Sequence, residues 1–178
     1  MPCRRALDVG CGYGLLARKL ARRCDEVVAI DLDAAVLART KAAGGSDGIA
    51  FVEGDVMTYP FADGSFDLIT AVASLHHLPL SVALGRFRAL LKPGGVLAVI
   101  GLYHMETFQD YAYAAVALPM IWTLRFAHAI SREELAIQDP KETLKQIRAV
   151  SRALLPGSIL RQHLLSRYSL VWQKPRGS

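Results

Sequence analysis

The stretch Asp8-Val9-Gly10-Cys11-Gly12-Tyr13-Gly14 places three glycines on alternate positions behind a short apolar run. Glycine lets the backbone turn sharply and approach a ligand closely. A helix starting just behind such a loop offers free N–H groups and positive potential to a carboxylate or phosphate. Seventeen residues after Gly14, Asp31 closes the apolar run Val27-Val28-Ala29-Ile30. A carboxylate there can accept both hydroxyls of a ribose. Asp55 follows another short apolar run and a glycine. It could accept from an adenine amino group while the Val56 N–H donates to a ring nitrogen.

A glycine loop alone is a weak signal. The dinucleotide fingerprint is G-x-G-x-x-G, and here the third glycine comes one residue early. The loop and Asp31 suit NAD and S-adenosylmethionine equally.

The elements that must hold these residues alternate strand and helix. Ala6–Val9, Val27–Ile30, Ile49–Glu53, Phe66–Val72 and Val96–Leu102 are apolar runs that read as buried strands. Between them lie amphipathic helices at Leu15–Arg23, Ala34–Ala42 and Val82–Leu91. In the first, Leu16 and Leu20 face inward, and Arg18, Lys19, Arg22 and Arg23 face solvent. Asp33 is placed to cap the second, and Lys92-Pro93-Gly94-Gly95 stops the third. Near-continuous apolar strands separated by helices predict a parallel sheet covered on both faces. Further on, Ser131-Arg132-Glu133-Glu134 reads as a capping box. Asp139-Pro140 reads as the start of a helix with Leu144, Ile147, Val150 and Leu154 inward. Ile159–Leu165 and Tyr168–Gln173 read as an antiparallel hairpin.

With these blocks in order, residues 6–102 strongly resemble a class I S-adenosylmethionine-dependent methyltransferase of the type 11, small-molecule subgroup. The segments Leu154–Gly157 and Arg167–Trp172 resemble the ending of some bacterial members more weakly. The resemblance implies a Rossmann-like α/β fold. Its seven-stranded sheet has the order 3-2-1-4-5-7-6, with the last strand antiparallel. It also implies S-adenosyl-L-methionine as cofactor and S-adenosyl-L-homocysteine as product. By the same resemblance Gly10, Cys11, Gly12, Tyr13 and Gly14 wrap the methionine end of the cofactor. Asp8 supports that loop and reaches the ammonium, directly or through water. Asp31 binds the ribose, Leu32 packs on the adenine, Asp55 and Val56 read its edge, and Val72 lies near the methionine group. Family members carry some tens of residues before the first strand; here only five precede it, so the usual N-terminal cap is expected to be missing.

One domain is expected over residues 1–178. It divides into a cofactor-binding half (1–103), an aromatic lid or substrate wall (104–130), and a C-terminal helix with hairpin (131–178). Residues 1–119 hold 11 Lys/Arg and 12 Asp/Glu, whereas residues 120–178 hold 10 and 4. The basic excess reads as a solvated helix face through Lys141, Lys145, Arg148 and Arg152; no aromatic stacking set accompanies it, so nucleic acid is not the expected partner. The longest apolar run, Ala112–Leu124, is too short to span a membrane. Cys3, Cys11 and Cys24 are too few and too scattered for a disulfide framework or a zinc site. No signal segment opens the chain, and a cytoplasmic protein without metal is expected. Exposed aromatics on the lid could pair two subunits as a homodimer.

Methyl transfer from a sulfonium is an in-line displacement, so the protein must chiefly align the reactants and exclude water. The acceptor expected is an O, N or C atom of a small apolar or aromatic molecule, as the aromatic segment 108–126 suggests. A base is needed only where the acceptor must lose a proton. The candidates are His76, His77 and His104, which follow the fourth and fifth strands. The Asn/Asp-Pro-Pro-Tyr motif of enzymes acting on nucleobase or glutamine amino groups is absent: the fourth strand ends Val72-Ala73-Ser74-Leu75. Three alternatives stay open: a cofactor-binding but inactive or regulatory homologue, an RNA or protein methyltransferase, and a nucleotide-binding oxidoreductase.

Overall fold

A computed structural model describes residues 3–45, 47–106, 140–164 and 166–176. It contains strands β1 (Cys3–Val9), β2 (Cys24–Asp31), β3 (Ile49–Glu53), β4 (Phe66–Val72), β5 (Leu91–Leu102), β6 (Ile159–His163) and β7 (Arg167–Gln173). The helices are α1 (Leu15–Leu20), α2 (Ala34–Ala42), α3 (Leu80–Leu90) and α4 (Leu144–Leu154), with a single 3₁₀ turn at Leu75–His77. The sheet order is β3-β2-β1-β4-β5-β7-β6, as the resemblance implied. The first five strands pair in parallel, and β7 runs antiparallel to both β5 and β6.

Both faces of the parallel part are apolar because helices cover both. On one side Leu7, Val28, Ile30, Ile69 and Val99 meet Phe87 and Leu90 of α3 and Ile147 of α4. On the other, small side chains dominate: Ala6 and Ala29 lie against Ala17 of α1, with Phe51 packed beside them. Small residues there let α1 sit close to the sheet, which brings the glycine loop ahead of it down onto the strand ends.

Several boundaries differ from the sequence reading, each for a local reason. α1 stops at Leu20 because the chain turns through Arg22 and Arg23, the Arg23 N–H donating to the Leu20 carbonyl at 2.8 Å. β5 begins at Leu91, so the Lys92–Gly95 segment does not break it. The segment bulges instead: Phe66 pairs with Leu91 and Leu68 with Val96, and Gly94 takes φ +82° to make the step. α4 starts later than Pro140, because Thr143 caps it. The Thr143 N–H donates to Gln146 Oε1 at 2.9 Å, and the Gln146 N–H donates to Thr143 Oγ1 at 3.4 Å. The box expected at Ser131–Glu134 and all but the first three residues of the 104–130 lid lie outside the described residues.

The cysteine expectation needs correction. Cys3 and Cys24 stand opposite each other in the β1–β2 ladder, Cα atoms 4.6 Å apart, and form a disulfide. They are 21 residues apart in the chain. Parallel register, not sequence proximity, brings them together. Their spacing therefore gives no argument for a reducing compartment. Cys11 stays free. Among the described residues no helix is long and apolar enough to cross a membrane. No three metal-binding side chains cluster among them either.

Candidate functional site

At the carboxyl ends of β1, β2, β3 and β4 the connecting segments surround a cavity of about 280 Å³. Of the residues read from sequence, Gly10, Asp31, Leu32, Asp55, Val56 and His77 line it. Val9, Ile30, Gly54, Ala73, Ser74 and Leu78 line it too and were not anticipated. Asp8, Cys11, Gly12, Tyr13, Gly14 and Val72 stand beside it rather than in its wall.

The three glycines do different work. All have positive φ: +67° at Gly10, +49° at Gly12 and +68° at Gly14. A Cβ at Gly10 would collide with the Ser74 side chain, and one at Gly14 would sit 2.8 Å from the Phe51 ring. These two are packed shut. A Cβ at Gly12 would meet no described residue within 4 Å. Gly12 is therefore the glycine open to an incoming group.

Asp31 holds the loop from the front. Its Oδ2 accepts the Gly12 N–H at 2.7 Å, and its Oδ1 accepts the Asp33 N–H at 3.0 Å. Capping of α2 falls to Asp33, whose Oδ1 accepts the N–H groups of Ala35 and Val36. Asp31 is thus left at the cavity rather than spent on the helix. Asp55 also has a local part: its Oδ1 accepts the Met57 N–H at 2.9 Å. That bond fixes the turn that puts Val56 beside it in the wall.

Asp8 is buried, at 2% exposure. Thr70 Oγ1 donates to its Oδ1 at 2.8 Å, while its Oδ2 is enclosed without a hydrogen-bond partner among the described residues. Burial is the largest influence on this carboxyl and raises it to about 6; the Thr70 bond opposes the rise and the Asp31 carboxylate adds to it. Burial, with Asp31 and Asp8 nearby, pushes the Cys11 thiol up to about 12. Cys11 is a thiol at neutral pH, not a nucleophile.

The histidines separate in space. His77 lines the cavity. His76 is half-buried, its ring centroid 4.0 Å from that of His77, and burial together with the neighbouring His77 lowers its pKa. His104 is exposed and bridges to Thr143 beside α4, outside the cavity wall.

Two of the unanticipated residues explain each other. Ser74 Oγ donates to the Val9 carbonyl at 2.7 Å, tying the end of β4 to the end of β1. Ala73 before it has φ +53°, and its N–H donates to the Ile100 carbonyl at 2.8 Å. An alanine carries no sequence signal for a left-handed backbone, so this turn could not be read in advance.

Known proteins resemble this chain in sequence and fold. A family profile described as a methyltransferase domain, type 11, matches residues 7–99. An uncharacterised methyltransferase of Mycobacterium tuberculosis (strain ATCC 25618 / H37Rv) is 35% identical over 179 residues, covering 95% of this chain and 86% of that protein. The ubiquinone biosynthesis O-methyltransferase of Xanthomonas campestris pv. campestris (strain B100) is 40% identical over 104 residues, covering 54% of this chain and 42% of that protein. A crystal structure of a putative S-adenosyl-L-methionine-dependent methyltransferase from Methanococcus maripaludis has a TM-score of 0.64 at 20% identity. It matches 98% of this chain and 79% of its own. A profile spanning more than half of the chain, and a relative matched over nearly its whole length, place the protein: it belongs to the type 11 methyltransferase domain family.

Proposed function

We propose that this methyltransferase transfers the methyl group of S-adenosyl-L-methionine to an O, N or C atom of a small apolar or aromatic molecule. The methyl donor fits the residues present. Gly12 leaves space where a side chain would otherwise project, and the enclosed Oδ2 of Asp8 lacks a partner that an ammonium could supply, directly or through water. Asp31 and Asp55 stand on the cavity wall for the ribose and the adenine edge, with Val56 beside them. Leu32 is 68% exposed, a cost in water that stacking on a nucleobase would remove. When bound, the sulfonium supplies an already activated methyl group. The chain's residues then need only hold the reactants in line and keep water out.

The acceptor class rests on one observation: exposed apolar side chains border the cavity. Tyr13 (51% exposed), Leu32 and Val72 (40%) flank the cavity, and among the described residues no Lys or Arg lines it. A nucleic-acid substrate would call for basic side chains at that mouth. A relative named for ubiquinone biosynthesis supports the same reading.

Calorimetric titration with S-adenosylmethionine and S-adenosylhomocysteine tests the donor, with NADH and Asp31→Ala as controls. Micromolar binding of both sulfur nucleotides is expected, weakened about tenfold or more (~1.4 kcal/mol) in the variant. NADH binding in their place overturns the reading. Turnover is then compared on phenols and apolar small molecules against RNA and protein. Methylation confined to RNA or protein overturns the acceptor class, and binding without any turnover favours a regulatory homologue.

A further inference from the structure

We infer that Arg18 is a positioning residue for the cofactor, its guanidinium strapping the glycine loop to the C-terminal end of α2. The inference rests on the cofactor reading above. Arg18 Nη1 donates to the Tyr13 carbonyl at 2.6 Å. Nη2 donates to the carbonyls of Thr40 at 3.1 Å and Gly44 at 3.0 Å. The guanidinium carbon lies 5.9 Å from the centroid of Phe51, the ring that Gly14 packs against. One side chain thus joins the loop, the end of α2 and β3.

The loop needs such a strap. Three glycines with positive φ in five residues give it many conformations to lose on ordering. A peptide plane is pinned when both its carbonyl and its N–H are held. The Tyr13–Gly14 plane meets this condition: Arg18 takes the Tyr13 carbonyl, and the Gly14 N–H donates to the Cys11 carbonyl at 2.8 Å. The neighbouring plane is held from behind by Thr40, whose Oγ1 lies 3.3 Å from the Gly12 carbonyl, although its shorter bond, 2.8 Å, goes to Val36. Asp31 holds the Gly12 N–H from the cavity side. Carbonyls are drawn back toward α2, and the open face of Gly12 is kept clear. The planar fork of arginine suits three carbonyls on two elements; a lysine ammonium is a single point donor on a flexible stem. This changes the reading of α1: Arg18 is half-buried and engaged, whereas Arg22 and Arg23 are the exposed ones.

The test uses the full chain as Arg18→Ala, Arg18→Lys and the control Arg22→Ala. Hydrogen exchange of residues 10–14 is measured without ligand. S-adenosylmethionine affinity is then measured by calorimetry, and KM and kcat are measured on an acceptor found by turnover. Arg18→Ala is expected to speed exchange in the loop at least tenfold while the amides of β1 and β2 stay protected. It is also expected to weaken cofactor affinity at least tenfold, raising its KM with kcat within about twofold. Arg18→Lys should recover part of both losses, and Arg22→Ala should match wild type. Unchanged loop exchange overturns the strap, as does loss of protection spread evenly over β1 and β2. Wild-type affinity in Arg18→Ala overturns its positioning role. A wild type that binds no S-adenosylmethionine overturns the cofactor reading instead, and loop exchange alone then decides the strap.

Discussion

Thr70 donates to one oxygen of the buried Asp8 carboxylate across the β1–β4 pair, at 2.8 Å, and leaves the other oxygen enclosed without a partner. Neutral donors do not compensate the burial of a full charge here. Burial therefore pushes the carboxyl up from near 3.8 to about 6. The protein keeps an acid in its core that a cation at the site would ionise.

The sign of the pH effect follows. A carboxyl raised on folding stabilises the fold at pH values below its unfolded pKa, and that contribution is lost as pH rises through about 6. Asp8→Asn should be more stable than wild type above pH 6, by on the order of 2 kcal/mol. The difference should shrink toward zero near pH 4. S-adenosylmethionine affinity of wild type should rise from pH 5 to pH 7, as Asp8 ionises to meet the ammonium, and should be flat and weaker in Asp8→Asn. Thermal melts and calorimetry across this range check both, and parallel pH profiles of the two proteins would refute the role given to Asp8.

The three loop glycines predict three different alanine variants. Gly12→Ala meets open space and bears mainly the left-handed backbone penalty, about 1–2 kcal/mol. It should fold, with a modest fall in Tm, and lose cofactor binding. Gly10→Ala and Gly14→Ala add collisions with Ser74 and with Phe51, and should fall further in Tm. Circular-dichroism melts followed by titration separate the two classes. Gly12→Ala binding like wild type would show that nothing needs the space in front of it.

The Cys3–Cys24 disulfide encloses β1, the glycine loop, α1 and the start of β2 in one covalent ring. Closing a ring of this size stabilises by about 3 kcal/mol through the unfolded chain. Reduction, or Cys3→Ser with Cys24→Ser, should lower Tm by roughly 6–12 °C for a chain of this length. Melts with and without a thiol reductant measure this. An unchanged Tm would mean that the two thiols are not joined in solution.

What could be read in advance, and what could not, divides along a physical line. α2 with its Asp33 cap, β3 and β4 came out with the bounds expected, because an apolar run or a cap is a local signal. Asp31 and Asp55 could be placed at the cavity because one ends such a run and the other follows one. Strand order came only with the family resemblance. Cys3 with Cys24, Ser74 with Val9, and Arg18 with Thr40 and Gly44 are contacts between distant segments. No spacing in the chain encodes them. Arg18 is instructive because helical periodicity placed it on a polar face, correctly, without showing that the face meets the end of α2.

Position distinguishes the histidines where sequence did not. His77 lines the cavity, His76 is half-buried behind it, and His104 stands outside. On an acceptor that must lose a proton, such as a phenol, His77→Ala is expected to lower kcat roughly 10²-fold. His104→Ala should stay within about twofold. On an acceptor with no proton to lose, His77→Ala should leave kcat nearly unchanged, since a base then has nothing to accept. Equal loss on both acceptors would assign His77 to packing against the cofactor rather than to proton transfer, and a full loss in His104→Ala would move the base to the other side of the sheet edge.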